Sequence, residues 1–238
     1  MKNNKRLVDG HFRTRLLSSL TPSLSRKKTN VTITFNMEYF DCHDGDSVDE
    51  SKCISFYSNA KPPYFKFSNF YKTTVFYNGI HYPSSEHAFQ AQLVIDEYKT
   101  MFSCTGILGS LTPEAFKYLG VSEKKLQHKV DLYSRKKMVG ILAKMGIKKM
   151  KKMGMTKNMT HKDVVTIFLD ILVQKYQDTE LKLLLQSTGD KYLLEFEKSA
   201  TRLKKKSIIT RWGGMIVDNH VIGSNQMGQL LMEVRSVL

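Results

Sequence analysis

Cysteine is scarce in this chain, and its scarcity excludes two classes of small scaffold. The 238 residues contain three cysteines, Cys42, Cys53 and Cys104, and none of them belongs to a Cys-x-x-Cys pair. Scattered thiols of this kind suit neither a disulfide framework nor a zinc knuckle. This cysteine usage is typical of a reducing compartment, so we expect a cytoplasmic protein.

Long hydrophobic runs are missing as well. The most apolar stretch, residues 164–173, is short and is interrupted by Asp170. A transmembrane helix needs about 20 consecutive and predominantly apolar residues. We therefore expect no membrane partner.

Acidic residues are few, because 22 Asp and Glu oppose 37 Lys and Arg and leave a formal charge of +15. A surplus of this size favours polyanionic partners or substrates that carry phosphate. In other respects the composition is that of a globular chain, since 41% of the residues are hydrophobic and 25% are charged. A chain of this length can bury one sizeable core.

The first 52 residues differ in composition from the rest. Residues 1–28 are basic and rich in serine and leucine, with Asp9 as their single acid. Such a segment is either an organelle transit peptide or a disordered basic tail, and both interpretations stay open. An acidic cluster follows between Asp41 and Glu50, and it lacks the spacing of a calcium loop. We predict that residues 1–52 form a flexible N-terminal extension and that the domain begins at residue 53.

From Cys53 onwards, the patterns of apolar residues predict a mixture of short strands and helices. Ser84 is expected to cap one helix and Thr112 to cap another. The predicted elements are a strand over residues 54–57, a hairpin over residues 73–82 with its turn at Asn78-Gly79, helices over residues 84–102, 112–119, 163–176 and 180–186, a strand over residues 192–196 and a C-terminal helix after Asn225.

Two segments are unusually basic. Residues 124–162 contain thirteen Lys or Arg and one acid, Asp131. One interpretation is a solvated helical insertion, and the other is an electrostatic contact to nucleic acid. Residues 202–206 form a second basic run, which we place in a loop. Both segments are candidate contacts for nucleic acid.

Two local arrangements are candidates for chemistry. The octet from Pro83 to Gln90 places Glu86 in the first turn of a helix, beside an imidazole, a ring and an amide. A glutamate at this position also stabilises a helix by interacting with the helix dipole, so a purely structural role stays open. Later, the only tryptophan of the chain, Trp212, precedes Gly213 and Gly214, where the backbone can approach a ligand closely.

Taken in order, several motifs resemble the NADAR superfamily, which includes the YbiA-like N-glycosidases. The resemblance spans about residues 53–238, with two insertions at about residues 121–158 and 198–208. The motifs that carry it are Phe67-Ser68-Asn69-Phe70, Tyr82-Pro83-Ser84-Ser85-Glu86-His87-Ala88-Phe89-Gln90-Ala91, Lys175-Tyr176, Leu184-Leu185-Gln186-Ser187-Thr188-Gly189-Asp190, Leu194-Glu195, Trp212-Gly213 and Gly223-x-Asn225-x-x-Gly228.

The resemblance implies a compact, mostly helical α+β domain that hydrolyses the N-glycosidic bond of a ribosylated base. It implies a ribosylamino-pyrimidine phosphate or an ADP-ribosyl adduct as the substrate, and neither a metal nor an organic cofactor. It places the catalytic carboxylate on Glu86. The side chains expected to bind substrate or shape the pocket are Asn69, Phe70, His87, Phe89, Gln90, Trp212, Gly213 and Asn225.

The chain departs from the family pattern in two places. Thr160-His161 stands where family members carry a tryptophan that can stack on the base, and Ile209 stands where they carry an aspartate. Glu195, Glu197 and Asp218 are candidates to replace that aspartate. These departures leave open a weak or inactive module that binds ADP-ribose or nucleic acid, and also an interaction protein that uses the fold as a scaffold.

Overall fold

Three two-stranded sheets and eight helices make up the part of the chain that the structure, a computed structural model, describes, residues 44–238. The predicted α+β class is therefore correct. Short 3-10 helices lie at Glu50–Lys52, Tyr64–Phe67 and Asp96–Phe102. The strands are β1 (Cys53–Phe56), β2 (Val75–Tyr77), β3 (Ile80–Tyr82), β4 (Tyr192–Glu195), β5 (Met215–Val217) and β6 (His220–Ile222), and the helices are α1 (Ser85–Gln92), α2 (Pro113–Tyr118), α3 (Glu123–Arg135), α4 (Ile141–Lys152), α5 (His161–Lys175), α6 (Thr179–Gln186), α7 (Ala200–Lys204) and α8 (Gln226–Ser236).

The predicted hairpin is formed by β2 and β3, and it leads directly into α1. Asn78 and Gly79 both have positive φ angles, of 49° and 80°, as a tight hairpin turn requires. Ser84 then caps α1, because its hydroxyl accepts a hydrogen bond from the backbone N–H of His87 at 3.3 Å. All eight residues of α1 are buried, so the whole helix lies inside the domain.

The sequence predicted that this helix continues to Phe102, and that prediction is wrong. The helix ends at Gln92, the backbone of Ile95 is extended, and Val94 pairs with Thr156 in an isolated bridge. A 3-10 helix at Asp96–Phe102 follows. Ala88, Ala91 and Phe102 reach the same core from two separate segments, whereas Ile95, at the break, is exposed.

Strands β1 and β4 pair in parallel, and α8 packs against β4. The side chain of Asn225, just before α8, connects the two parts by donating to the carbonyl of Leu193 at 2.8 Å and accepting from the N–H of Glu195 at 2.9 Å. The hairpin of β5 and β6 was not predicted. Its turn uses Asp218 and Asn219 at φ angles of 51° and 60°.

The basic segment is part of the core, which corrects its interpretation as a solvated insertion. Helix α3 buries no residue fully, but α4 packs against α1 and buries one side, formed by Leu142, Ala143, Gly146 and Met150. A residue with a Cβ at position 146 would approach the side chain of Leu108 to 2.5 Å. The second basic run is also misplaced in the prediction, because residues 200–204 form the helix α7.

Residues 44–52, which the sequence analysis assigned to the extension, pack against the β5–β6 hairpin. The N–H groups of Gly45 and Val48 donate to the carbonyls of Val221 and Asn219, each at 2.7 Å. Val48 is buried with Leu194 and Val221. The packed domain therefore includes residues 44–52. The proposed tail or transit peptide lies in residues 1–43, outside the described residues.

None of the helices in residues 44–238 has the length and apolar composition that crossing a bilayer requires.

Candidate active site

Glu86 is a buried carboxylate at the start of α1. Its side chain is 6% exposed, and Oε1 accepts a hydrogen bond from Nε2 of Gln90 at 2.8 Å. The ammonium of Lys144, on α4, lies 3.9 Å from the same oxygen. Within the described chain no group donates a hydrogen bond to Oε2, so this oxygen is available to a substrate or a water molecule. Burial raises the pKa of Glu86, and Lys144 and Gln90 partly oppose that rise.

Glu195, at the end of β4, carries a second carboxyl group, and the charges of Glu86 and Lys144 both affect its pKa. Burial, and after it the negative charge of Glu86, raise its pKa to about 8, while Lys144 and Lys175 oppose the shift. The structure thus favours Glu195 among the three acids considered as replacements for the missing aspartate. Glu197 is exposed and hydrogen-bonds to Ser199, and Asp218 lies in the exposed turn of β5–β6.

Lys175 is a buried ammonium that supports the loop next to the two carboxyl groups. Its Nζ donates to the carbonyls of Phe67 and Ser68 at 2.9 and 3.1 Å. Burial lowers its pKa to about 7, and Glu195 opposes that shift. Lys175 was part of a sequence motif but was not predicted as a site residue.

Asn69 connects this loop to α1 and to α8. Its carbonyl accepts from the N–H of Glu86 at 3.1 Å, and its side-chain Oδ1 accepts from the hydroxyl of Ser85 at 3.1 Å. Its Nδ2 points to the sulfur of Met227 at 3.3 Å. Asn69 is only 5% exposed, so it holds the backbone of Glu86 in place.

An aromatic cluster lies one helical turn from Glu86. Phe89 and Phe168 stack with their ring centroids 4.1 Å apart and their planes at 5°. Trp212 meets Phe168 edge to face at 5.2 Å and Phe89 at 6.1 Å. Trp212 is partly exposed, so part of its side chain is accessible to a ligand.

Gly213 and Asn225 contact the backbone of Glu195. A Cβ at Gly213 would lie 2.5 Å from the carbonyl oxygen of Glu195, and the next amide, of Gly214, donates to that oxygen at 2.8 Å. Asn225 accepts from the N–H of Glu195 and is fully buried. These two predicted ligand contacts therefore lie beside Glu195.

The ring of His87 is engaged within the protein, whereas the backbone of Phe70 lies close to Glu86, since a Cβ at Gly140 would lie 2.5 Å from Cα of Phe70 and 3.1 Å from Cβ of Glu86. Both ring nitrogens of His87 are bonded inside the protein, to the hydroxyl of Ser84 and the carbonyl of Leu108, each at 2.8 Å. Burial lowers the pKa of His87 to about 4, so the ring is neutral at physiological pH. Phe70 lines a surface cleft of about 320 Å³ with Tyr133 and Ile141.

His161 stands at the beginning of α5, where the family pattern has a tryptophan. Its Nδ1 lies 3.3 Å from the guanidinium of Arg211, and its Nε2 lies 3.2 Å from the side-chain amide of Gln226. Residues 226 and 227 follow Asn225, and their N–H groups bond to the carbonyls of Arg211 and Trp212. These polar groups therefore adjoin Trp212, and sequence analysis did not identify Arg211 or Gln226 as site residues.

Two surface clefts of the described chain do not include Glu86. One is the cleft beside Phe70, and the other, of about 590 Å³, lies between the β2–β3 hairpin and residues 100–107. Within residues 44–238 no three His, Cys, Asp or Glu side chains come together as metal ligands would. The candidate site is therefore a small polar centre around the carboxyl groups of Glu86 and Glu195. The protein covers the side chain of Glu86.

Comparisons with known proteins found a similar fold among the solved structures. No protein-family model and no curated protein matches the chain. The chain is similar to the NMR structure of the E. coli protein YbiA, with 23% identity, a TM-score of 0.45, and coverage of 80% of this chain and 87% of that chain. This similarity is too distant to assign an activity, so membership of the NADAR superfamily stays a prediction from the motifs.

Proposed function

We propose that this chain is an N-glycosidase that hydrolyses the bond between ribose and a base, in a ribosylamino-pyrimidine phosphate or an ADP-ribosyl adduct. One observation carries the proposal, the buried carboxylate of Glu86 held by Gln90 and Lys144, with Glu195 near enough for the charge of Glu86 to raise its pKa. Two carboxyl groups in unequal surroundings are the usual equipment for cleaving a glycosidic bond. The sequence motifs give the same assignment for Glu86.

The reaction breaks the bond between C1 of the ribose and a nitrogen of the base, and positive charge develops on the ribose. An ionised Glu86 stabilises that charge through Oε2, and it accepts a proton from the water that attacks C1. Because Gln90 and Lys144 bind Oε1, they orient the carboxylate and keep Oε2 directed at the substrate.

Glu195 supplies the proton that the departing base needs. Its pKa of about 8 leaves it protonated at neutral pH, so it can donate to the leaving nitrogen as the bond breaks. At the end of the reaction Glu195 has lost a proton and Glu86 has gained one. Transfer of a proton between the two groups through water restores the starting state.

The neighbouring side chains account for binding. The partly exposed ring of Trp212 stacks on the base in this proposal. Arg211 and Gln226 lie next to Trp212 and carry hydrogen-bonding groups. Lys144 is half exposed beside the carboxylates and can also attract a phosphate group of the substrate. Ribosyl phosphates and ADP-ribosyl compounds both carry such a group.

The test measures free ribose phosphate or ADP-ribose released from a panel of ribosylamino-pyrimidine phosphates and ADP-ribosylated oligonucleotides. The protein is compared with Glu86→Gln, and with Glu97→Gln as a matched control, because Glu97 is exposed and outside the site. We expect turnover by the unaltered protein and by the control, and a loss of about 100-fold or more in Glu86→Gln. Equal turnover by all three proteins contradicts the proposal.

A module that binds without turnover is the second candidate. The burial of Glu86 and the location of the two surface clefts elsewhere favour it. Binding of ADP-ribose with the same affinity by the unaltered protein and by Glu86→Gln, without release of product from any compound of the panel, distinguishes this candidate from the first.

A further inference from the structure

Four lysines lie along one side of α4. Lys144, Lys148, Lys151 and Lys152 are exposed, and Lys148 lies four residues after Lys144 and three and four residues before Lys151 and Lys152, which places all four on one side of a helix. We call these four residues the lysine row. Lys149 does not belong to it, because its ammonium turns to the ring of Tyr118, 3.9 Å from the ring centroid.

The position of the row relative to the carboxylates is fixed by packing. Gly140, at the start of α4, donates its N–H to the carbonyl of Phe70, and a Cβ there would lie 3.1 Å from Cβ of Glu86. The opposite side of α4 is buried in the core. The row therefore begins at the candidate site, where Lys144 approaches Glu86, and leads away from it.

Of the four charges in the row, only that of Lys144 has an acidic partner among residues 44–238, namely Glu86 at 3.9 Å. Lys66, Lys99, Lys157 and Lys204 each form an ion pair with an acidic side chain. By contrast, no acid among residues 44–238 pairs with Lys148, Lys151 or Lys152. Four ammonium groups on two turns of helix repel one another, and a bound polyanion removes that repulsion.

We propose that the lysine row binds the phosphate backbone of a polynucleotide. With a rise of about 1.5 Å per residue, the row is about 12 Å long. A nucleic acid strand carries one phosphate per about 3.4 Å of axis, so the row faces about three phosphates. A lipid surface fits less well, because the large apolar side chains Leu142 and Met150 of α4 are in the core and not beside the lysines.

The contact is electrostatic, and this determines its properties. Binding through phosphates carries no direct information about base sequence, so the affinity should depend on salt and not on sequence. The proposal concerns binding alone and does not depend on turnover. A protein that does not bind polynucleotide would contradict this proposal alone, and a protein without turnover would contradict the glycosidase proposal alone.

The experiment measures binding of the full chain to a labelled single-stranded oligonucleotide by fluorescence anisotropy over a series of salt concentrations. The variant Lys148→Gln/Lys151→Gln/Lys152→Gln leaves Lys144 in place. The matched control Arg202→Gln/Lys205→Gln/Lys206→Gln removes three exposed charges from α7 and the residues after it, the other basic run. The basic residues before position 29 are present in every protein compared.

We expect the row variant to bind at least about tenfold more weakly at low salt, with a salt slope lower by about two. The α7 control should change the affinity less than about threefold, through net charge alone. A third variant, Lys148→Arg/Lys151→Arg/Lys152→Arg, should retain affinity and slope, which excludes misfolding as the cause of any loss. Equal losses in the row variant and the control, or no loss in the row variant, overturn the proposal.

Discussion

Burial raises the pKa of both Glu86 and Glu195, but the two carboxyl groups have different partners, and the difference suits them to the two roles proposed above. Glu86 receives a hydrogen bond from Gln90 and the nearby charge of Lys144, both of which favour the ionised form. Glu195 has a backbone held by Asn225 and Gly214, while its carboxyl group faces the charge of Glu86. One group is thus suited to be the base and the other to be the acid.

The pH dependence of hydrolysis follows from this assignment. Glu195 donates only while protonated, so kcat/KM should fall above pH about 8, the value to which its pKa is raised. Glu86 acts only while ionised, and because its pKa is raised, the acidic decline should begin above the range of an ordinary glutamate. A kinetic profile over pH checks both limbs.

The variant Glu195→Gln separates the two groups. We expect it to lose about 100-fold to 10,000-fold in kcat/KM and to lose the alkaline limb while retaining the acidic one. An unchanged alkaline limb in this variant contradicts the role of Glu195 as the acid.

Asn225 supports Glu195 in a way that stability measurements can detect. It adopts a left-handed conformation, with φ of 45°, and its side chain makes the two hydrogen bonds to β4. The substitution Asn225→Gly keeps that conformation without strain but leaves the N–H of Glu195 and the carbonyl of Leu193 unpaired. We expect a loss of about 1–3 kcal/mol in the free energy of unfolding, measured with urea. A loss in Asn225→Ala no larger than in Asn225→Gly would show that the backbone conformation contributes nothing.

Helix α4 packs against α1 and brings Lys144 to the site, and Gly140 tests the importance of its position. A Cβ at this position would lie 2.5 Å from Cα of Phe70, and the backbone cannot move away as a flexible side chain could. Since φ is −56°, alanine meets no conformational penalty there, and the clash acts alone. We expect Gly140→Ala to lower stability by about 1–3 kcal/mol, and to lower kcat by moving Lys144 relative to Glu86.

A second glycine provides the control for this prediction. Gly120 has a φ of 80° and open space around its Cα, so Gly120→Ala introduces strain without a clash. It should lower the melting temperature and leave kcat unchanged. If Gly140→Ala also leaves kcat unchanged, the position of α4 does not matter to the reaction.

The sequence predicted the elements with simple local patterns and missed those that depend on context. The turn Asn78-Gly79 and the caps Ser84 and Thr112 are local features, and all three are confirmed. Because α4 is rich in lysine, the sequence did not indicate that one side of this helix is buried. The turn Asp218-Asn219 lacks the glycine that identifies a tight hairpin.

The candidate site was predictable where a single segment carries it. Glu86 and Gln90 were found because they belong to one motif, and the structure joins them by a hydrogen bond. Lys144 has no local pattern that distinguishes it from the other lysines of its segment. Its approach to Glu86 depends on how α4 packs against α1, and residue spacing does not contain that information.

For the domain as a whole, the boundary at residue 53 is open to a direct test. The three backbone hydrogen bonds between residues 45–48 and residues 219–221, and the burial of Val48, belong to the folded domain. A chain that begins at residue 53 should therefore unfold about 3 kcal/mol more easily than a chain that begins at residue 44. Urea titration of the two chains measures the difference. Equal stability would restore the boundary predicted from the sequence.

The parallel pairing of β1 with β4 has a consequence for the order in which the protein becomes competent. Residues 57–191 lie between the two strands, so their pairing closes a long stretch of chain and is expected to be slow. Glu86, Gln90 and Lys144 emerge from the ribosome well before Glu195, and Asn225 emerges later still. A nascent chain can therefore assemble the base and its partners while the acid is still missing. The two carboxyl groups come together only after β4 and α8 have packed into the domain.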